Sequence, residues 1–282
     1  IGKDFVSKTV QRYETTTRYL EEFIKKEYQL SDIALNNLEA NFISKFDAFL
    51  KIEKGCAQNS AITRLKNLKK IIRIALENDW IKKDPFAYYR FKLEETYPEF
   101  LTMDEIKIIL AKEFIIKRVE QVRDIFVFCI FTGLAFSDVK DLSPEHLVKD
   151  NKGELWIRKN RQKTKIMCNI PVLPVAASIL DKYKDVAECT GKLLPVLCNQ
   201  RMNSYLKEIA DVCGIHKNLS THTARHSYAT SICLANGVSM ENVAKMLGHA
   251  DTSVTKHYAR VLDQNIFKDM QKVNSCLSEL AI

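Results

Sequence analysis

Along the first ninety residues, apolar side chains recur three or four positions apart, in stretches at Val10–Lys26, Asn36–Glu53 and Ser60–Asn78. That spacing puts them on one face of an α-helix, as with Phe42, Phe46, Phe49 and Leu50, and predicts a small all-helical unit. Ser31-Asp32, Lys54-Gly55 and Asp84-Pro85 punctuate the stretches with residues that start or stop helices. After Phe91 the periodicity lapses into a polar run, and a linker over 93–100 divides the chain into domains at 1–92 and 101–282. Thr102 and Glu105 then stand at the capping-box spacing that opens a helix.

The second domain reads as mixed, mainly helical. Val119–Phe131 is strongly apolar and is stopped by Thr132-Gly133. Leu155–Arg158 and Ile166–Ile170 look like a hairpin around Arg161-Gln162-Lys163-Thr164. Further helices are expected at Pro174–Asp185, Asn203–Cys213, His222–Ala235 and Ser239–Leu247, with Gly214 and Gly237 as stops. A last amphipathic helix, about 264–281, carries Ile266, Met270, Val273, Leu277 and Leu280 at helical spacing. The fold class is mainly α with a small β component.

Composition narrows the partner more than the fold. Lysine and arginine number 43 against 35 aspartates and glutamates, a formal net charge of +8, which suits a polyanion without specifying one. The excess is evenly spread: 18 basic against 14 acidic residues up to Thr96, and 25 against 21 from Tyr97 on, so each part is net +4. The 8 cysteines form no C-x-x-C pair and read as free thiols of a reducing cytosol. Cys129 and Cys233, inside apolar stretches, read as small hydrophobes. The richest apolar run, Ile125–Phe131, falls far short of the ~20 residues that span a membrane.

The chemistry concentrates in His222-Thr-Ala-Arg225-His226-Ser-Tyr228, then Leu247-Gly248-His249, then His257-Tyr258. Positions i and i+3 share a helix face, so His222 and Arg225 can aim an imidazole and a guanidinium at one place. The guanidinium fork matches two phosphate oxygens, and a histidine beside it exchanges protons near neutral pH. A tyrosine such as Tyr258 becomes a nucleophile only when its proton is removed or its phenolate is stabilised by cations. His222, His226, His249 and His257 also raise the idea of a metal cluster, but no H-E-x-x-H or carboxylate-rich pattern accompanies them. No metal or other cofactor is expected, nor any phosphate-binding G-x-x-x-x-G-K-[ST] loop.

His222-x-x-Arg225, Leu247-Gly248-His249 and Tyr258, at offsets of 24 and 9 residues, together resemble the C-terminal signature of the tyrosine recombinase (phage integrase) family. Upstream, Thr132-Gly133-Leu134 followed by Ser137-Asp138 looks like the family's T-G-L-R-x-S-E box, and Lys163 sits where the family keeps its catalytic lysine, flanked by Lys159 and Lys165. The resemblance implies a helical core-binding domain followed by a mixed α/β catalytic domain. It also implies a site-specific recombinase with no cofactor: Tyr258 attacks a phosphodiester to give a 3′-phosphotyrosine, Arg225 and His249 stabilise the transferring phosphoryl group, Lys163 protonates the leaving oxygen and His222 accepts the tyrosine's proton. Expected partners are double-stranded DNA attachment sites, held by a homo-tetramer on two sites, with the tail helix exchanged between protomers or packed on its own domain, and accessory DNA-bending proteins. The expected place of action is the cytoplasm, on the nucleoid.

One position departs from the pattern. The family's first arginine should follow Thr-Gly-Leu directly, and Ala135 stands there. Arg161, two residues before Lys163 and on its face if the strand runs that far, is the expected substitute, with Arg123 as second choice. The Thr-Gly-Leu-Ala form resembles integrases of Bacteroidetes mobile elements. Asp138 supports either the site or a local helix start. The competing functions are an inactive DNA-binding regulator, built on a helix-turn-helix of His222–Ala235 and Ser239–Leu247, and a topoisomerase-like relative.

Overall fold

The computed structural model describes residues 7–252, Thr255, 270–271 and 273–274. It divides into two compact units, one up to Thr96 and one from Tyr97. The architecture is mainly helical with one small sheet, as the pattern predicts. Among the described residues, no helix is long and apolar enough to cross a membrane.

The first unit packs α1 (Ser7–Tyr28), α2 (Ala40–Ile52) and α3 (Gln58–Glu77) around one core. Phe23 of α1 meets Phe42 edge-on at 5.1 Å and Phe46 at 5.2 Å, aromatic contacts that add to simple burial. Helix α2 starts later than Asn36: Leu35–Asn37 forms a 3-10 turn and Glu39 is extended. The asparagine pair favours such a turn because its side chains compete for local backbone groups. At the other end, the side chains of Gln58 and Asn59 donate to the carbonyls of Lys92 and Glu94, at 2.6 and 2.8 Å, which ties the departing chain back onto α3.

In the second unit, α4 (Met103–Ala111) opens on the expected box, with Thr102 Oγ1 accepting from Glu105 N–H and Glu105 accepting from Thr102 N–H. Helix α5 (Lys117–Thr132) is its axis. Ile125 to Ile130 are all buried, because α5 packs on α7 (Pro174–Lys182), α9 (Asn199–Val212) and α10 (Thr221–Ser227). It stops at Gly133, whose φ of 67° a side chain would resist. A short α6 (Phe136–Lys140), absent from the sequence reading, follows.

The sheet has three antiparallel strands in the order β1 (Leu147–Lys149), β2 (Leu155–Asn160), β3 (Met167–Pro171), one more than the hairpin expected. β1 was too short to show a period. Lys159 pairs with Cys168 and Asn160 with Met167, so β2 ends one residue before Arg161. The helix expected at Pro174–Asp185 is broken at Tyr183 and resumes as α8 (Lys184–Thr190). The break coincides with a tertiary bond: Tyr183 Oη donates to buried Asp124 of α5 at 2.9 Å, beside Lys182 at 2.7 Å.

The helix expected over His222–Ala235 changes character midway. α10 gives way to a π-helical turn at Tyr228–Cys233 and a 3-10 turn before Gly237. Tyr228 is drawn inward there, its hydroxyl 3.0 Å from Met246 Sδ and its ring against Gly133. π-turns of this kind concentrate at functional sites. Ser227 Oγ accepts from the N–H of Leu101, and Ser231 Oγ donates to the same residue's carbonyl at 2.5 Å, so the start of this unit is tied to the segment following Arg225. α11 (Met240–Leu247), capped by Ser239, follows.

Candidate active site

Arg225 is the centre of the site. It lies on α10, 2% exposed, one turn after a capping box made by Ser220 and Thr223. Its Nη1 donates to Gly133 O at 2.6 Å, and Nη2 donates to Leu247 O at 2.5 Å. Both carbonyls belong to helix ends closed by left-handed glycines, so the stops of α5 and α11 grip one guanidinium from two sides. Nη2 also lies 3.1 Å from His249 Nε2. Arginine only donates, so Nε2 is the acceptor and the ring's proton is on Nδ1, which stands 2.9 Å from the hydroxyl of buried Thr255. Burial, then Arg225, then Arg161 push the His249 pKa down to about 4, so the ring is neutral at neutral pH.

His222 lies one turn before Arg225 and reaches solvent. Its proton affinity is lowered by partial shielding from water and then by Arg225, Arg161 and Lys163. His226 lies 5.8 Å from His222, ring to ring, and is pushed down to about 4 by burial and by His222 and Arg225. The charge of Arg161 therefore reaches both His222 and His249. Arg161 does so from the turn and not from a strand, since β2 ends at Asn160, so the alternation argument that paired it with Lys163 does not hold. Its N–H donates to Ile166 O at 2.8 Å, and its Nε has no hydrogen-bond partner among the described residues. Lys163 is exposed on the same turn.

Two other cations are engaged elsewhere. Arg123 bonds Asp124 at 2.7 Å and donates to the carbonyls of Ile109, Leu110 and Lys112, so it staples the end of α4 to α5. Lys159 is 9% exposed, with Nζ 3.3 Å from Asp141 O and 3.1 Å from His146 Nε2.

Several participants lay outside the sequence reading. The carbonyls of Gly133 and Leu247 were signalled only by the glycine stops beside them, and Thr255 by nothing. Asp138 lies buried in the first turn of α6, where it makes no capping bond, and its Oδ1 accepts from the N–H of Gln162 at 2.8 Å, anchoring the β2–β3 turn. Thr164 Oγ1 donates to Gly248 O at 3.0 Å. His257, Tyr258 and most of the tail helix expected at about 264–281 lie outside the described residues. Among the described residues, no three His, Cys, Asp or Glu side chains are placed to hold a metal ion.

The arrangement brings a buried, preorganised guanidinium, a second arginine, two histidines and a lysine-bearing turn together, which is a charge distribution suited to a phosphoryl group. The chain is similar to known proteins along most of its length. The tyrosine recombinase XerD of Listeria monocytogenes serotype 4b (strain F2365) is 27% identical, over 96% of this chain and 94% of its own length. The tyrosine recombinase XerC of Syntrophus aciditrophicus (strain SB) is 24% identical, over 86% and 82%. In fold, the chain is similar to a lambda integrase dimer bound to a COC' core site, with a TM-score of 0.73, 18% identity and 93% of each chain covered. The Tn1549 transposon integrase in complex with a circular intermediate DNA gives a TM-score of 0.72 at 16% identity, over 96% of this chain and 95% of that one. The phage integrase SAM-like domain matches residues 2–93, and the phage integrase family model matches residues 99–265, a span that holds every residue of the site and more than half of the sequence. The chain belongs to the phage integrase family, the tyrosine recombinases.

Proposed function

We propose that this chain is a site-specific DNA recombinase that cleaves and rejoins attachment sites through a phosphotyrosine, serving the integration and excision of a mobile element like those of Bacteroidetes. The observation that carries the reading is the convergence of Arg225, His249, His222 and the Arg161–Lys163 turn. Tyr258, nine residues beyond His249, supplies the nucleophile. Its phenolic oxygen forms a bond to phosphorus as the bond to the 5′ oxygen breaks. The phenolic proton goes to His222, whose lowered proton affinity leaves it neutral and able to accept, and the 5′ oxygen takes a proton from Lys163. One phosphodiester is exchanged for another, so the reverse attack by a 5′-hydroxyl of a partner duplex needs no external energy source.

Arg225 and Arg161 face the charge that develops on the non-bridging oxygens, Arg161 filling the place left by Ala135. His249 holds the Arg225 guanidinium in plane through its neutral Nε2. Each unit carries a net +4 and is suited to a polyanion, four protomers acting on two sites in the cytoplasm. The tail at about 264–281 docks on a neighbouring protomer in that assembly. The test is a nicked suicide duplex carrying the attachment site. The parent should leave a denaturation-resistant protein–DNA adduct and Tyr258→Phe none, with unchanged DNA affinity. An adduct of parental yield from Tyr258→Phe sinks the assignment, and binding without any adduct from the parent returns the chain to the regulator class.

A further inference from the structure

We infer that Thr164 is a positioning residue: by holding the carbonyl of Gly248, it sets where the Lys163 ammonium stands relative to His249 and the leaving oxygen. The inference rests on the reading of Lys163 as the general acid. Lys163 is exposed at the turn between β2 and β3, on a flexible stem that does not by itself hold an ammonium in one place. Both of its neighbours in sequence are tethered. Gln162 N–H donates to Asp138 Oδ1 at 2.8 Å, and Thr164 Oγ1 donates to Gly248 O at 3.0 Å.

The two anchors belong to different segments. Asp138 follows Thr132-Gly133-Leu134, and Gly248 immediately precedes His249. Beneath them the turn is closed by Arg161 N–H to Ile166 O and Lys165 N–H to Arg161 O, both 2.8 Å. The Gly248 anchor is itself held: the preceding carbonyl, Leu247 O, accepts from Arg225 at 2.5 Å. The peptide leading into His249 is thus gripped by Arg225 on one carbonyl and by Thr164 on the next. A threonine here registers the acid-bearing turn against the segment that carries His249 and leads on to Tyr258. Without that hydroxyl, the only side-chain tether left to the turn among the described residues is the one from Gln162 N–H to Asp138. Misplacement of a reacting group by about 1 Å costs on the order of 10²-fold in rate.

The experiment uses the full chain and two suicide duplexes, one with the ordinary 5′ oxygen at the scissile phosphate and one with sulfur in that bridging position. A thiolate leaves without needing a proton, so the sulfur duplex does not depend on a placed acid, while DNA binding and tyrosine attack are retained. Thr164→Val should form the adduct at least ~10-fold more slowly than the parent on the oxygen duplex with unchanged affinity, and near the parental rate on the sulfur duplex. Thr164→Ser, which keeps the hydroxyl, should match the parent on both. Thr164→Ala, which removes the donor without reshaping the turn, should behave as Thr164→Val and guards against a folding defect in the valine variant. Lys163→Ala should show the same rescue by sulfur. A parental rate for Thr164→Val on the oxygen duplex, or equal slowing on both duplexes, overturns the proposal. Rescue of Lys163→Ala without rescue of Thr164→Val removes the proposal alone, whereas failure to rescue Lys163→Ala removes the reading of the acid and the proposal with it.

Discussion

Gly248→Ala strains the turn before His249 in two ways. Gly248 has a φ of 62°, and the left-handed region costs a residue with a Cβ about 1–2 kcal/mol. The added methyl would lie 2.6 Å from Cys168 Sγ, 3.4 Å from Ile166 O and 3.5 Å from Arg161 Cβ. Cys168 is 1% exposed, so its sulfur has little room to withdraw, and overpacking of this kind costs about 1–3 kcal/mol. The two effects together lower stability by about 2–5 kcal/mol. Cys168→Ala removes the atom that the methyl meets, so in the double variant the overpacking share should disappear and the backbone share remain. Urea unfolding of the parent, the two single variants and the double variant then gives a coupling of about 1–3 kcal/mol. Adduct formation measured on the same four proteins should fall with Gly248→Ala and recover in part with Cys168→Ala, because the carbonyls of Leu247 and Gly248 are bonded to Arg225 and Thr164. An additive cycle would refute the packing argument, since it would mean that the methyl never meets the sulfur.

Arg161→Ala should slow cleavage by ~10²-fold or more at saturating DNA, as loss of one transition-state donor does, and Ala135→Arg in that background should restore part of it; a parental cleavage rate at saturation rejects Arg161 as the substitute. Arg123→Ala should lower the unfolding midpoint and leave the cleavage rate of the folded protein unchanged, because its bonds are to Asp124 and the end of α4; the reverse pattern would return Arg123 to the site. His226 and His249 have pKa values pushed down to about 4, against about 6.5 for an unfolded histidine, so folding favours their neutral forms. Their contribution is full above pH ~6.5 and is lost as pH falls toward ~4, each worth up to about 3 kcal/mol before solvent screening, and a urea midpoint that rises over that interval contradicts the sign. DNA affinity should fall steeply with salt through counterion release, and residues 100–282 alone should bind more weakly with a shallower salt slope; an unchanged slope counts against DNA contact by both units.

What the sequence determined by itself is what depends on near neighbours. The Thr102–Glu105 box, the stop of α5 at Gly133 and the stop at Gly237 are local hydrogen-bonding and φ requirements, and the structure places them where those residues stand. The helical periodicity of α1, α3, α5 and α9 was legible for the same reason, because each buries one face or is buried throughout. The spacing of His222, Arg225 and His249 marked a candidate phosphate site, but only the fold brings the Arg225 guanidinium to the carbonyls of Gly133 and Leu247, which are 92 and 22 residues away along the chain. Short elements escaped for lack of a period: α6 has five residues and β1 three. The break at Tyr183 and the π-turn at Tyr228 coincide with bonds to residues far along the chain, Asp124 and Met246, which local periodicity does not report. In one dimension Arg161 is the first choice and Arg123 the second, both resting on spacing alone. In three, Arg123 is consumed by α4 carbonyls and Arg161 stands near enough to shift two site histidines, because a long cationic side chain goes where acceptors and space are, and both are tertiary properties.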